Sequence, residues 1–276
     1  MSEVLAHYGF IPWLKQGIGT KITETDALGN PANGMAKERA DLQIGVTVES
    51  TDISDESKIE TDLSKTVKMF GPPDVLAISQ SAIVRMEPKP KVNNYESNGL
   101  PYIEFYNEDF LWTYTPASAD TGAQVGKLTP WLALICLKDD EFELKNDIDG
   151  RPYITIPSDK ITGVFHDETQ HWAWGHVHMN TDVSASTIGG KISEVTTELD
   201  ANPDSGVCRL LCPRKLVKET QYTAFLIPSF ETGRLSRLGL PFTGILAQKM
   251  SWGGSEADYT AKPRGTDYPV YHLWSF

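Results

Sequence analysis

The clearest pattern of apolar and polar positions lies between residues 42 and 48. Apolar side chains alternate there with polar residues or glycine, and the apolar positions are Leu42, Ile44, Val46 and Val48. Successive side chains of a β-strand point to opposite faces, so residues two apart share one face. The segment therefore predicts a half-buried antiparallel strand. The charged segment 50–68 that follows it is interpreted as a loop or a surface helix.

Residues 131–137 form a continuous apolar run of seven, which predicts a central strand buried on both faces. Shorter strand patterns are predicted at 75–78, 82–86, 102–106, 110–114, 153–156, 171–179, 220–227 and 268–276. Two short helices are predicted at 205–211 and 231–238, the second ending at Gly239, which tolerates left-handed geometry. Many short strands and few helices favour a mainly β or α+β fold with an antiparallel β-rich body.

The N-terminal segment predicts a short amphipathic helix. Its apolar residues recur at helical spacing, with Pro12 suited to a first turn, and they are Ile11, Leu14, Ile18 and Ile22. Such a helix packs on its own domain or docks on a neighbouring subunit. We divide the chain into an N-terminal helix and loop, 1–40, and a β-rich body, 41–276, which is expected to continue beyond residue 276 because the last strand ends without a polar tail.

Composition narrows the classes of partner. The chain has 276 residues and a formal net charge of −12, which argues against a general nucleic-acid or anionic-membrane surface. No apolar stretch approaches the roughly 20 residues that span a bilayer. Three cysteines do not form a disulfide framework, and the N-terminus lacks the pattern of a secretory signal. These features predict synthesis in the cytoplasm.

Little in the sequence predicts catalysis. His176 and His178 are two apart and would share a strand face, which makes them weak candidates for a metal site. No companion carboxylate or cysteine motif accompanies them. Nucleophile-elbow, phosphate-loop, dinucleotide and zincin motifs are missing as well. We therefore predict a protein that is not an enzyme, without catalytic residues or a cofactor.

Aromatic residues are dense between 98 and 142, and aromatic and arginine side chains are enriched in protein interfaces. The predicted interface residues are Ile11, Leu14, Ile18, Trp112, Tyr114, Trp172 and Arg234.

Eight blocks in order along the chain carry a resemblance to a known family. They are FIPWLKQGI (10–18), GPPDV (71–75), EFYNEDFLWTYTP (104–116), WLAL (131–134), WAWGHV (172–177), RLLCPRKL (209–216), FETGRL (230–235) and PVYHLW (269–274). They resemble large proteins associated with bacterial extracellular contractile injection systems, which are phage-tail-like particles. In that family, more protein follows the last block.

The resemblance implies a structural subunit of such a particle, in the baseplate or a surrounding shell, or else at the cap end. Its partners would be sheath, tube, baseplate or cap proteins, with no nucleic acid and no membrane span. It would be made in the bacterial cytoplasm and released, or held at the cell surface, as part of the particle. Two alternatives stay open: a metal-dependent hydrolase or lyase using His176 and His178, and a carbohydrate-binding module using exposed tryptophans.

Overall fold

The computed structural model describes residues 8–14, 41–51, 58–68, 70–116, 128–262 and 264–276. The strands in these ranges are β1 (Gly9–Ile11), β2 (Asp41–Thr51), β3 (Lys58–Lys68), β4 (Ile83–Glu87), β5 (Tyr102–Phe105), β6 (Leu132–Leu137), β7 (Glu143–Asn146), β8 (Pro152–Thr155), β9 (Gly175–Met179), β10 (Gly206–Leu211), β11 (Thr223–Pro228), β12 (Asp267–Pro269) and β13 (His272–Ser275). The α-helices are α1 (Ser158–Val164), α2 (Ile188–Ala201), α3 (Glu231–Arg237) and α4 (Glu256–Ala261).

The strands form four antiparallel sheets, which confirms the mainly β or α+β prediction. The largest sheet has five strands in the order β1-β9-β10-β5-β4. Two three-stranded sheets have the orders β13-β11-β6 and β12-β8-β7, and β2 and β3 form a two-stranded ribbon. None of the helices in the described ranges is both long enough and apolar enough to cross a membrane.

The β13-β11-β6 sheet separates two hydrophobic cores. Leu134 and Leu226 point into one core, and Ile135 and Phe225 point into the other. Every residue of β6 is buried, so the predicted burial on both faces is confirmed. The predicted central position is wrong, because β11 lies in the middle of the sheet and β6 at its edge.

Helix α3 confirms its predicted position and its predicted end. Gly239 has φ +71°, a left-handed conformation that costs glycine little. The helix packs on the GPPDV block and on the residue that follows it. Ser236 Oγ donates to Pro73 O at 2.6 Å, and Arg237 Nε donates to Leu76 O at 2.8 Å.

Several predicted elements are wrong. Segment 58–68 is strand β3 rather than a loop or helix. Phe110–Trp112 is a 3-10 helix whose Leu111 and Trp112 side chains are buried, so its aromatic content reflects core packing rather than a strand. Residues 206–211 form β10 in place of a helix, with alternating burial of period two. The predicted strand at 75–78 is also missing within the described ranges.

The prediction of an N-terminal helix is wrong for the residues that the structure describes. Ile11 ends strand β1, which pairs with β9, and residues 12–14 are not helical. Ile11 and Leu14 pack against the main core, so their apolar spacing serves the chain's own sheet. Ile18, Ile22 and most of the predicted unit 1–40 lie outside the described residues, and the division after residue 40 stays a prediction.

Candidate functional site

The ribbon of β2 and β3 presents an apolar face to solvent. Its exposed apolar side chains are Ile44 (45% exposed), Val46 (53%), Val48 (48%), Ile59 (55%) and Leu63 (57%). Directly opposed residues of an antiparallel pair share a face. The register places Val46 opposite Leu63 and Ser50 opposite Ile59, so these five side chains lie together. We call this group the apolar ribbon face.

The other side of the ribbon is polar. Thr47 Oγ1 donates to Asp62 Oδ1 at 2.7 Å, and Lys58 Nζ lies 3.8 Å from Glu49 Oε2. Glu60 is opposite Glu49 on the same side. The alternation predicted from the sequence is therefore confirmed as a pattern of faces. The predicted half-burial is wrong, because no element in the described ranges covers the apolar ribbon face.

An unaccompanied apolar ribbon is an unusual feature for a folded chain. An isolated two-stranded ribbon is marginally stable in water, and independent stability needs a third strand or a packed face. Each strand has 11 residues, which corresponds to a length of about 37 Å. Thr61 and Lys65 lie on the same face, opposite Val48 and Ile44, so the apolar side chains form a patch with polar members. An exposed apolar patch is a candidate surface for contact with another molecule.

A second candidate surface is the outer face of the five-stranded sheet. Phe10 is 59% exposed, and its ring lies 4.8 Å from the His178 ring and 5.5 Å from the His176 ring. His176 is opposite Arg209 in β10, and Arg209 is opposite Glu104 in β5. Arg209 Nε donates to Glu104 Oε1 at 2.8 Å.

The residues around His176 and His178 disfavour a metal ion there. Burial and the neighbouring Arg209 guanidinium lower the pKa of His176 to about 4. A second cation is therefore repelled by the same guanidinium. Across the described ranges, no three or more His, Cys, Asp or Glu side chains are grouped as a metal site requires. The two histidines share a face, as predicted, but no third ligand accompanies them there.

A buried chain of polar groups links His166, His171 and Ser229. His171 Nε2 lies 2.8 Å from Ser229 Oγ and 3.0 Å from Leu132 O. His171 Nδ1 lies 3.0 Å from His166 Nε2. The sequence did not predict this set of hydrogen-bonded groups, because no motif joins positions so far apart along the sequence.

Burial argues against a serine nucleophile here. Leu132 O only accepts hydrogen bonds, which favours the tautomer with the proton on His171 Nε2. That tautomer does not take the Ser229 proton as a general base. Ser229 is also fully buried, without access for a substrate. These hydrogen bonds connect β6 to the loop after β11, and they hold the two segments together.

The predicted interface residues fall in different environments. Trp112 and Arg234 are both 0% exposed, so neither offers contact surface, and these two predictions are wrong. Tyr114 is half-buried against Trp131, with ring centroids 4.9 Å apart. Trp172 is half-buried, 6.2 Å from the Trp13 ring.

The structure also locates the tryptophans that a carbohydrate-binding module would use. All seven lie in the described ranges, as Trp13, Trp112, Trp131, Trp172, Trp174, Trp252 and Trp274, and none of them is exposed. The placement of the tryptophans therefore lends no support to the carbohydrate-binding alternative, which stays a prediction.

Comparison with known proteins adds no relative. No protein-family model matches the chain, and no curated protein or solved structure matches it either. The functional argument therefore depends on the residues and on their geometry.

Proposed function

We propose that this chain is a non-enzymatic structural subunit of a contractile, phage-tail-like injection particle. In this proposal the subunit lies in the baseplate or a surrounding shell, and the cap end is the alternative position. Sheath, tube, baseplate or cap proteins are its partners. The ordered sequence blocks support the kind of particle, and the apolar ribbon face is the observation that supports assembly.

The ribbon supplies the anchor in this proposal. Strand β1 and Leu14 pack on the chain's own core, so they are not free to dock elsewhere. The apolar ribbon face, by contrast, is exposed along both strands. Burying one Val, Leu or Ile side chain contributes about 1.5–3 kcal/mol. The five side chains are about half exposed, so covering them contributes roughly half of that value each.

The test compares two variants that add the same charge to opposite faces of the ribbon. Val46→Lys with Leu63→Lys places two charges on the apolar ribbon face. Gln43→Lys with Ser64→Lys places two on the polar face. All four positions are exposed, so we expect both proteins to fold. We expect the apolar-face variant to be depleted from particles at least roughly tenfold, and the polar-face variant to enter them normally.

The measurement is the abundance of each variant, relative to sheath and tube proteins, in particles purified by sedimentation from the native source. Circular dichroism of the free proteins checks folding. Normal incorporation of the apolar-face variant would show that the ribbon is not the anchor. Wild-type protein that stays small and never sediments with sheath and tube would refute membership of the particle.

A further inference from the structure

The two strands of the ribbon have free outer edges. Within the described ranges, β2 pairs only with β3, and β3 only with β2. Each strand has 11 residues, so each outer edge presents a long row of backbone N–H and C=O groups to which another strand can pair. The other strands in those ranges have three to six residues. None of them matches a ribbon strand in length.

The two edges differ in charge. Strand β2 carries two charged residues, Asp41 and Glu49. Strand β3 carries five, which are Lys58, Glu60, Asp62, Lys65 and Lys68. Charged side chains, lysine above all, are a common protection of an edge strand against pairing with another chain. Strand β2 contains neither lysine nor proline, so its edge is the one that lacks this protection.

A second copy of β2 fits this edge over its whole length. Val46 is the middle residue of β2. An antiparallel pair with a two-fold axis at Val46 opposes all 11 residues of one strand with all 11 of the other. Ile44 then faces Val48 of the second copy, and the two Val46 side chains face each other. Such pairs of β-branched residues stabilise a sheet, and the apolar faces of the two ribbons join on one side of it.

The same register keeps like charges apart. Glu49 faces Gln43 of the second copy, and Thr47 faces Gly45, so no two carboxylates are directly opposed. Moving the axis to Gly45 would bring Glu49 opposite Asp41 and leave the last two residues of each strand unpaired. Like charges that are directly opposed destabilise a pair of strands. Charge and overlap therefore favour the axis at Val46.

Pairing of β2 with β3 of the next copy is the less favourable arrangement. It uses the lysine-bearing edge of β3. It is also a head-to-tail contact, which leaves an open edge at each end and continues into a fibre unless the copies close a ring. A pair of β2 strands closes after two copies, and its outer edges are the two charged β3 strands.

We propose that β2 pairs with β2 of a second copy to form a four-stranded antiparallel sheet in the order β3-β2-β2-β3. Three or more strands with an apolar face are stable where a lone ribbon is marginal. The inference rests on the ribbon as the assembly element of the proposed function, and it adds a second copy of this chain as the partner of the ribbon edge. The joined apolar face, of twice the area, stays available to neighbouring subunits of the particle.

The test measures self-association of the full chain, free of particles, by sedimentation velocity at concentrations up to about 100 μM. The edge variant is Gly45→Lys with Thr47→Lys, which places lysines opposite each other across the two-fold axis. Both positions are exposed, and an added Cβ at Gly45 meets open space, so the fold should be kept. The matched control is Ser64→Lys with Thr66→Lys, which adds the same charge at exposed positions of β3. Circular dichroism verifies folding of each variant.

A single introduced cysteine locates the axis. The native cysteines Cys136, Cys208 and Cys212 are all buried, so an exposed cysteine is the reactive one. In the proposed register, the cysteine of Val46→Cys faces its counterpart in the second copy, and oxidised glutathione should link the two through a disulfide. The cysteine of Glu49→Cys lies about 20 Å along the strand from its counterpart and should stay unlinked.

We expect the wild type to dimerise, the edge variant to dimerise roughly tenfold more weakly, and the control variant to match the wild type. A monomer at every concentration would overturn the proposal. So would a dimer that the edge variant leaves unchanged, which indicates contact between apolar faces, and assemblies larger than a dimer, which indicate pairing of β2 with β3. Equal linking of the two cysteine variants would overturn the register. Because the free chain is measured, these outcomes are distinct from particle membership, which is decided by sedimentation with sheath and tube proteins.

Discussion

Replacing Arg234 with Met is expected to lower the free energy of unfolding by about 3–5 kcal/mol. The side chain is fully buried. Its Nε and Nη2 donate to the two carboxylate oxygens of Glu231, both at 2.7 Å. Its Nη1 donates to Arg264 O at 2.8 Å and to Asp267 O at 2.9 Å. The guanidinium therefore ties α3 to β12, and its removal leaves a buried carboxylate without its cation.

Chemical denaturation monitored by circular dichroism measures the effect, with two matched proteins. The double variant Arg234→Met with Glu231→Leu removes both charges, and we expect it to be more stable than Arg234→Met alone. Lys160→Met removes one partner of the exposed Lys160–Asp140 pair, and we expect its unfolding curve to match that of the wild type closely. A loss below about 1 kcal/mol for Arg234→Met would contradict the argument, because that value is typical of a surface pair.

Sequence periodicity predicted the parts of the fold in which local pattern and burial agree. The apolar run at 131–137 is β6, and the alternation at 42–48 is β2. Position within a sheet could not be read from the same pattern, because β6 is buried by two cores while lying at a sheet edge. Whether a face is buried depends on what packs against it. The ribbon shows that an alternating pattern alone does not predict whether its apolar face is covered.

The candidate sites were harder to predict than the fold. Residue type favours Trp112 and Arg234 as contact residues, yet both are buried. The i,i+3 spacing of Glu231 and Arg234 was a signal for an ion pair within a helix.

Lowering the pH from about 6.5 to 4 is expected to destabilise the protein by about 3 kcal/mol through His171 alone. Burial and the neighbouring His166 lower the pKa of His171 to about 3. Between that value and the unfolded value near 6.5, the unfolded chain carries a proton on this imidazole and the folded chain does not. Unfolding thus takes up a proton, and falling pH favours it. His166, with its pKa lowered to about 4 by burial, acts in the same direction.

The slope of the unfolding free energy against pH identifies the residue responsible. His171→Asn should flatten the slope between pH 6.5 and 4.5 by about 1.2 kcal/mol per pH unit on average. His178→Asn removes a less buried imidazole whose pKa burial and Arg209 also lower, and it should flatten the slope in the same direction but by less. Carboxylates such as Glu141, whose pKa is lowered despite burial because Arg214 pairs with it, lose their stabilisation only below about pH 4.5. A wild-type slope of zero across this window would show that His171 is protonated in the folded protein, with its buried contacts rearranged.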